Sequence, residues 1–212
     1  MLSEYCGKIV RLKNISGKTF TGIAEAVPAV RLGEKNGQAE SSILLNGYLI
    51  PESDIVSIEE PPGFAVLRAS ETWQQAGAYY VRIQAMAKKH HIPLRQEFDE
   101  HDGPDTRYIV VTDDDFPVAT ARMYPIDNDR MLIGRVVVLP EYRHMGIGTM
   151  VVIECEKWAA ELHCSKAVLD SRDNKTAFYV ELGYKVTGEP TDGDTFRCIR
   201  MEKDLAAFPP VP

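Results

Sequence analysis

Through the first sixty residues apolar and polar positions alternate in short runs, at residues 8–12, 19–24 and 42–45, and no run carries a helical period. β-Branched and aliphatic side chains in such runs, bounded by Gly, Asn and Pro, predict short strands. Asn46-Gly47 lies between Leu45 and Tyr48-Leu49-Ile50 and predicts a two-residue hairpin, because both central residues of that turn take positive φ. A further turn is expected at Ser16-Gly17. Strands at this spacing suit a small all-β barrel of about five strands. Glu59-Glu60-Pro61-Pro62-Gly63 ends the pattern, since paired prolines remove backbone donors and fix φ. It divides the chain into domains 1–62 and 63–212.

Beyond the break, helices and strands interleave. Residues 64–68 read as a strand, and Ser70 stands at the cap position of a helix that runs to Lys89. Trp73, Ala76, Tyr80, Ile83 and Ala87 recur at spacings of three and four along it, predicting its buried face. A polar loop at 90–105 precedes strands at 107–112, 117–124 and 131–139, with Asp113-Asp114-Asp115 and Asp127-Asn128-Asp129 as turns. Strands so closely spaced imply an antiparallel meander. A helix at 147–163, a strand at 166–169, a helix at 175–182 and strands at 184–187 and 196–201 follow, with an irregular tail at 208–212. The expected class is α+β, a mixed α/β sheet preceded by the small barrel.

Charge narrows the partners. The 212 residues carry 24 Lys+Arg against 31 Asp+Glu, a net charge of −7, without the basic excess that neutralises nucleic-acid phosphates. Residues 1–62 hold six basic and eight acidic side chains, so the small domain reads as a packing or interaction module and nucleic acid is not an expected partner. The longest apolar runs, Val136-Val137-Val138-Leu139 and Met150-Val151-Val152-Ile153, fall far short of the roughly 20 residues of a membrane span. No basic start followed by a long apolar stretch opens the chain, so the cytoplasm is the expected location. Cys6, Cys155, Cys164 and Cys198 form no CxxC pair and have no His at ligand spacing, so neither zinc nor a disulfide framework is expected. Cys155 reads as a buried packing residue, and His90-His91 as solvated at a helix end.

The chemistry concentrates in residues 136–148, where a strand, a proline that stops it and a glycine-bearing turn directly precede an apolar helix. Glycines let several backbone N–H groups point at one place, and the helix dipole adds to them. Arg143 can add a full charge. The turn is neither the GxGxxG of dinucleotide folds nor the GK[ST] of a P-loop, and alone it also suits an ordinary strand-to-helix connection. Val138-Leu139-Pro140 followed by Arg143-His144-Met145-Gly146-Ile147-Gly148 resembles the acetyl-CoA motif of the GNAT family of N-acetyltransferases. Ala177-Phe178-Tyr179-Val180-Glu181-Leu182-Gly183-Tyr184 resembles a second segment of that family, in the right order. The resemblance spans residues 64–205 and is closest to the ElaA-like branch, through 92–102 and 133–138. His144 stands where a glycine is common, and Thr106-Arg107-Tyr108 where that branch often has a histidine. Residues 1–62 resemble Sm-like or SH3-like barrels through Gly7-Lys8-Ile9-Val10 and Leu45-Asn46-Gly47-Tyr48-Leu49-Ile50-Pro51.

The resemblance implies a GNAT fold, acetyl-CoA as co-substrate, no metal, and acetyl transfer to a primary amine of a small molecule or protein; it leaves a homodimer open. It implies that backbone groups of Val136, Val137 and Val138 bind the pantetheine, that Arg143, His144, Met145, Gly146, Ile147, Gly148 and Thr149 bind the pyrophosphate, and that Phe178 lies alongside. Tyr179 matches the family tyrosine that approaches the sulfur and can act as general acid, a phenol of ordinary pKa near 10 being protonated at neutral pH. An asparagine that often holds the pantetheine has no counterpart at the usual spacing, where Arg172 stands; Asn174 is the nearby candidate. Candidates for the general base are Glu97, Asp99 and Asp102 in the acidic loop, Glu141 beside the turn, or a water chain, with Glu97 and Asp99 foremost. Such loop carboxylates are commonly solvated, and would attract a cationic amine. The alternative reading is a protein that binds acyl-CoA without turnover and uses the small barrel to contact a partner.

Overall fold

The structure, a computed structural model, describes residues 2–25, 27, 34–35, 38–39, 41–103, 106–192 and 196–205. The expected irregular tail at 208–212 and the end of the polar loop at 104–105 lie outside the described residues.

The N-terminal unit contains β1 (Ile9–Asn14), β2 (Thr19–Glu25), the two-residue strands β3 (Glu34–Lys35) and β4 (Gln38–Ala39), β5 (Ser42–Leu45), β6 (Tyr48–Pro51) and β7 (Ile55–Glu59). Five of these form an antiparallel sheet in the order β6-β5-β2-β1-β7, while β3 and β4 pair with each other. Alternation sends Val10, Leu12, Phe20, Ala24, Ile43, Leu45 and Ile50 into one apolar cluster, the arrangement a pleated strand imposes. Asn46 and Gly47 take φ of 53° and 77° at the β5–β6 turn, as the hairpin signal requires. The Asn46 amide, itself buried, donates to the Thr21 carbonyl at 2.9 Å and ties this hairpin to β2.

The second unit is a sheet in the order β13-β15-β12-β11-β10-β9-β8, with β14 paired to β15. Its strands are β8 (Phe64–Arg68), β9 (Arg107–Asp113), β10 (Phe116–Pro125), β11 (Arg130–Val138), β12 (Lys166–Arg172), β13 (Lys185–Val186), β14 (Thr191–Asp192) and β15 (Arg197–Asp204). From β8 to β11 neighbours run antiparallel, and β11 pairs β12 in parallel through the crossover helix α3 (Ile147–Glu161). Ile109, Val111, Ala119, Met123 and Met131 of the sheet pack with Met150, Val151 and Cys155 of α3 in the main core. Each such fully buried aliphatic side chain contributes about 1.5–3 kcal/mol relative to exposure. Cys155 is buried in that core as expected.

Several expectations change. The helix α1 (Thr72–Arg82) is capped by the Gln74 side chain, which accepts from Ser70 N–H at 2.7 Å and Glu71 N–H at 3.0 Å, rather than by Ser70. Its buried face is Gln74, Gly77, Ala78, Val81 and Arg82, whereas Trp73 and Tyr80 are exposed and Ala76 lies outside. Apolar spacing pointed at the wrong face because the true one is built from small and polar residues: a Cβ at Gly77 would already be 3.1 Å from Pro117. The helix then widens into a π-helical stretch, Ile83–Lys88, a form found mostly at functional sites. The polar loop contains a helical turn, α2 (Leu94–Glu97), whose last residue is buried. Finally, β12 runs to Arg172, three residues past the expected end at 169, because its pairing with β15 continues from Lys166↔Asp204 to Arg172↔Cys198.

Candidate functional site

Parallel strands β11 and β12 pair only at Arg130↔Lys166, Met131↔Ala167 and Leu132↔Val168. Beyond that point they part, β11 staying with β10 as far as Val138 and β12 with β15 as far as Arg172. Register shifts between Thr120 and Arg122, and Arg135 takes φ of 50°. This is a β-bulge, which bends its strand and re-aims side chains. The bulge and the parting leave the β12-facing backbone edge of Val136, Val137 and Val138 without a strand partner, a cleft between neighbouring strands, while the Val137 side chain is buried with Val81 and Ala85.

At the end of β11, a 3₁₀ turn at Pro140–Tyr142 carries the chain back, and Arg143 Nε donates to the Val138 carbonyl at 3.0 Å. His144 and Gly146 follow with φ of 63° and 83°, and Ile147 opens α3. Met150 N–H is bonded to the Gly146 carbonyl, so the amides of Ile147, Gly148 and Thr149 precede the first helical bond and remain free donors within the helix. His144 holds a left-handed conformation that a glycine adopts without strain and any other residue at roughly 1–2 kcal/mol; its side chain is exposed. Gly148 has a different role. A Cβ there would lie 3.7 Å from Phe178 and 3.8 Å from Val138, in ordinary contact, so this glycine sits between the strand end and helix α4 (Thr176–Glu181). Free amides, a helix start and Arg143 together fit an anion.

Helix α4 supplies the aromatic side. Phe178 and Tyr179 have ring centroids 4.9 Å apart, and Tyr179 meets Tyr184 at 5.9 Å. Burial pushes the Tyr179 phenol up to about 12, with Arg172 working in the opposite direction. Asn174 is exposed in a 3₁₀ turn, Asp173–Lys175. Glu141 is exposed as well.

The acidic loop is not solvated. Arg82 is fully buried; its Nε reaches Glu97 Oε1 at 2.8 Å, and its Nη atoms reach Asp102 at 2.5 and 3.1 Å and the Glu97 carbonyl. Arg122 bonds Asp99 at 2.6 and 3.1 Å and Asp102 at 2.8 Å. Arg135, on the bulge, reaches Asp99 at 3.0 Å and Glu97 at 3.4 Å. Tyr108 OH completes Asp102 at 2.6 Å. Three guanidiniums thus meet three carboxylates with no net charge, the condition under which ions survive away from water. Burial, the largest single influence, would raise Asp99 and Asp102, but their hydrogen bonds and ion pairs together, led by Arg122 for Asp99 and by Arg82 and Tyr108 for Asp102, hold both below the usual carboxylate range. The network anchors α1, α2, β9 and β10 to the bulge of β11.

Two features went unread in the sequence. Arg172, at the end of β12, stacks on Phe196 with its guanidinium carbon 3.5 Å from the ring centroid, and Nη2 lies 3.1 Å from the Met86 sulfur. His90 meets the edge of the same Phe196 ring at 5.2 Å, so it is packed rather than simply solvated. Burial, then Arg172, lowers its pKa. The second feature is the N-terminal unit, which touches the loop. Thr21 Oγ1 donates to the Met145 carbonyl, and a Cβ on Gly146 would overlap Thr21 N and approach Phe20 Cα to 3.1 Å. Tyr48 OH donates to the Glu181 carbonyl at 3.2 Å, and Lys157 pairs with Glu25 at 2.5 Å. The only sequence signal for the first was the arginine standing at the asparagine position; there was none for the second.

Among the described residues no group of three or more His, Cys, Asp or Glu is arranged to hold a metal, and no helix is long and apolar enough to cross a membrane. The model of the acetyltransferase (GNAT) family matches residues 68–184. The chain is 32% identical over 125 residues, 59% of its length and 87% of the relative's, to an uncharacterized N-acetyltransferase of Bacillus subtilis, YjcF. It is similar to a crystal structure given as a candidate N-acetyltransferase from Lactobacillus plantarum, at 27% identity and TM-score 0.64, over 68% of this chain and 99% of that one. Escherichia coli ElaA shares the fold at 21% identity and TM-score 0.58, over 66% and 98% of the two chains.

Proposed function

The chain belongs to the acetyltransferase (GNAT) family, whose enzymes act on an amine acceptor and acetyl-CoA, and from that premise we propose that it acetylates a primary amine of a small molecule or protein by direct attack on the thioester. The observation that carries this reading is the parting of β11 from β12 beside a glycine turn with free helix-start amides. Val136, Val137 and Val138 border the cleft that would take the uncharged arm, and residues 143–149 with Phe178 would hold the phosphates. Val138 N–H is the candidate donor to the developing oxyanion. As the new C–N bond forms the amine loses a proton, and as the C–S bond breaks the sulfur gains one.

In this reading Tyr179 donates a hydrogen bond to the sulfur, and solvent supplies the proton that the leaving thiolate takes up. With its phenol pushed up to about 12 and an ordinary thiol near 8.5, full transfer to the sulfur would run uphill by roughly 5 kcal/mol. Its contribution is therefore a hydrogen bond to the leaving sulfur, strengthened where Arg172 lowers the phenol. Glu97 and Asp99 are better read as positioning groups than as bases: each is engaged by guanidiniums, and Asp99 is held below the carboxylate range. They fix Arg135 and the bulge, and the base is then water reached through the cleft. Asn174, exposed and away from the paired strands, is given no contact.

Residues 1–62 we read as a small SH3-like barrel domain. Its strand order, four-three-two-one-five in sequence along the unit, and the 3₁₀ turn at Glu52–Asp54 before its last strand support that reading. Its contact with Met145 and Gly146 gives a second reading some support, in which acyl-CoA occupancy is sensed at this junction without turnover. Release of free thiol from acetyl-CoA, followed with a thiol reagent across a panel of amines, separates the two. Thiol release that depends on the amine is expected; tight acetyl-CoA binding with no release from any amine would overturn the transfer reading.

A further inference from the structure

The arginines around the site are not equivalent. Arg82, Arg122 and Arg135 are matched by Glu97, Asp99 and Asp102. Arg143 turns its Nε onto the Val138 carbonyl at the start of the loop. Arg172 is half-buried, yet among the described residues it meets no carboxylate; its neighbours are the Met86 sulfur at 3.1 Å and the face of Phe196 at 3.5 Å. Removing a guanidinium from water without an opposite charge is costly. Burial in fact pulls its pKa down. Stacking on an aromatic face holds the planar fork still while leaving its edge able to take two parallel hydrogen bonds.

We propose that Arg172 is the anion-binding residue of the acceptor site, and that the acceptor is an amine bearing a carboxylate close to its amino group. This rests on the acetyl-transfer reading above. Three elements converge at the position: the end of β12, Phe196 immediately before β15, and Met86 in the π-helical stretch after α1, with His90 closing against Phe196. The phosphates of acetyl-CoA do not supply the missing charge, because they belong at residues 143–149, whereas Arg172 acts electrostatically on Tyr179 at the sulfur end. The arm that joins those two ends is uncharged. A carboxylate on the acceptor satisfies the fork, and the amine of the same molecule is thereby oriented toward the cleft beside Tyr179, the kind of positioning that lowers an association barrier.

The test is steady-state kinetics on the full chain with matched acceptors, α-amino acids against the same amino acids as C-terminal amides, for wild type, Arg172→Gln and Arg172→Lys. The expected result is a carboxylate preference in kcat/KM of about 10- to 100-fold in the wild type, the range of a charge-assisted bidentate contact. Arg172→Gln should remove most of that preference, mainly through acceptor KM. Arg172→Lys should retain part of it, since it keeps the charge and loses the fork. KM for acetyl-CoA reports that the variants remain folded with a working donor site. Turnover of amides equal to that of the acids, or a preference that survives Arg172→Gln, overturns the subsite and leaves acetyl transfer standing. A fall in kcat of equal size for both acceptor classes also overturns it, assigning Arg172 to the reacting atoms instead. No turnover with any amine, alongside measurable acetyl-CoA binding, overturns both readings together.

Discussion

Gly146→Ala perturbs the donor loop at the point where two physical demands coincide. The residue holds φ of 83°, and an L side chain in that region costs roughly 1–2 kcal/mol. Its new methyl would also overlap Thr21 N and lie 3.1 Å from both Phe20 Cα and the Phe20 carbonyl carbon. These are backbone atoms of a paired strand, so no rotamer change relieves the contact, and overpacking of this kind costs about 1–3 kcal/mol. Together the variant should lose about 2–5 kcal/mol, which for a chain of this size lowers Tm by roughly 4–20 °C. Gly148→Ala is the matched control. Its Cβ would stand 3.7 Å from Phe178 and 3.8 Å from Val138, ordinary contact distances, and its φ is not in the left-handed region. Helix propensity alone predicts a change of no more than about 1 kcal/mol, toward stability. Thermal melts of both variants, with acetyl-CoA affinity by calorimetry, check the reasoning. A Gly146→Ala protein that melts within a degree of wild type would refute both the strained loop and the docking of β2 upon it.

Other outcomes follow from the same geometry. Tyr179→Phe should lower kcat about 10- to 100-fold with little effect on acetyl-CoA KM, measured by thiol release; wild-type turnover would remove the hydrogen bond to the leaving sulfur. Asp102→Asn strips a charge from Arg82 and Arg122, and breaking a buried pair this way costs about 3–5 kcal/mol, read from urea unfolding at neutral pH. The folded pKa values of Asp99 and Asp102 lie below the ordinary carboxylate value, so in acid the unfolded chain binds more protons than the folded one. Their stabilisation is complete above about pH 4 and is lost as pH falls through the folded values; urea midpoints from pH 7 to 3 should decline, and less steeply in Asp102→Asn. Thiol titration should label exposed Cys6 at once and Cys155 only on unfolding, since burial both shields that thiol and pushes its pKa up.

The strand, turn and helix start at residues 130–161 were legible in the sequence because they are made of contiguous backbone. A strand, a stop and a glycine turn before a helix write their geometry into neighbouring residues, and the positive φ of Gly146 is a consequence of residue type at fixed spacing. The acidic loop was misread for the opposite reason. Glu97, Asp99 and Asp102 look solvated beside one another in a polar segment, and only the fold brings Arg82 from a helix, Arg122 from β10 and Arg135 from a bulge to neutralise them. Arg82 gave the same kind of error in α1, where a charged residue at 0% exposure marks the buried face that apolar spacing placed elsewhere.

That contrast bears on how the molecule divides its tasks. On the proposed reading, backbone donors would bind a group common to every reaction of the family, with no side chain needed beyond a glycine and a basic residue. The proposed acceptor contact is gathered from the end of β12, the residue before β15 and the π-helical stretch, separate in sequence from the turn. The N-terminal sheet joins the first of these parts. Phe20 and Thr21 lie close against Gly146, so if acetyl-CoA binds at the amides that open α3, as proposed, its binding and the placement of β2 are linked. Such linkage is reciprocal. Thr21→Val, which removes the hydroxyl bonded to the Met145 carbonyl while keeping the shape, should therefore weaken acetyl-CoA binding by a few-fold, in the range of one hydrogen bond. An unchanged dissociation constant by calorimetry would mean that the two units touch without being coupled.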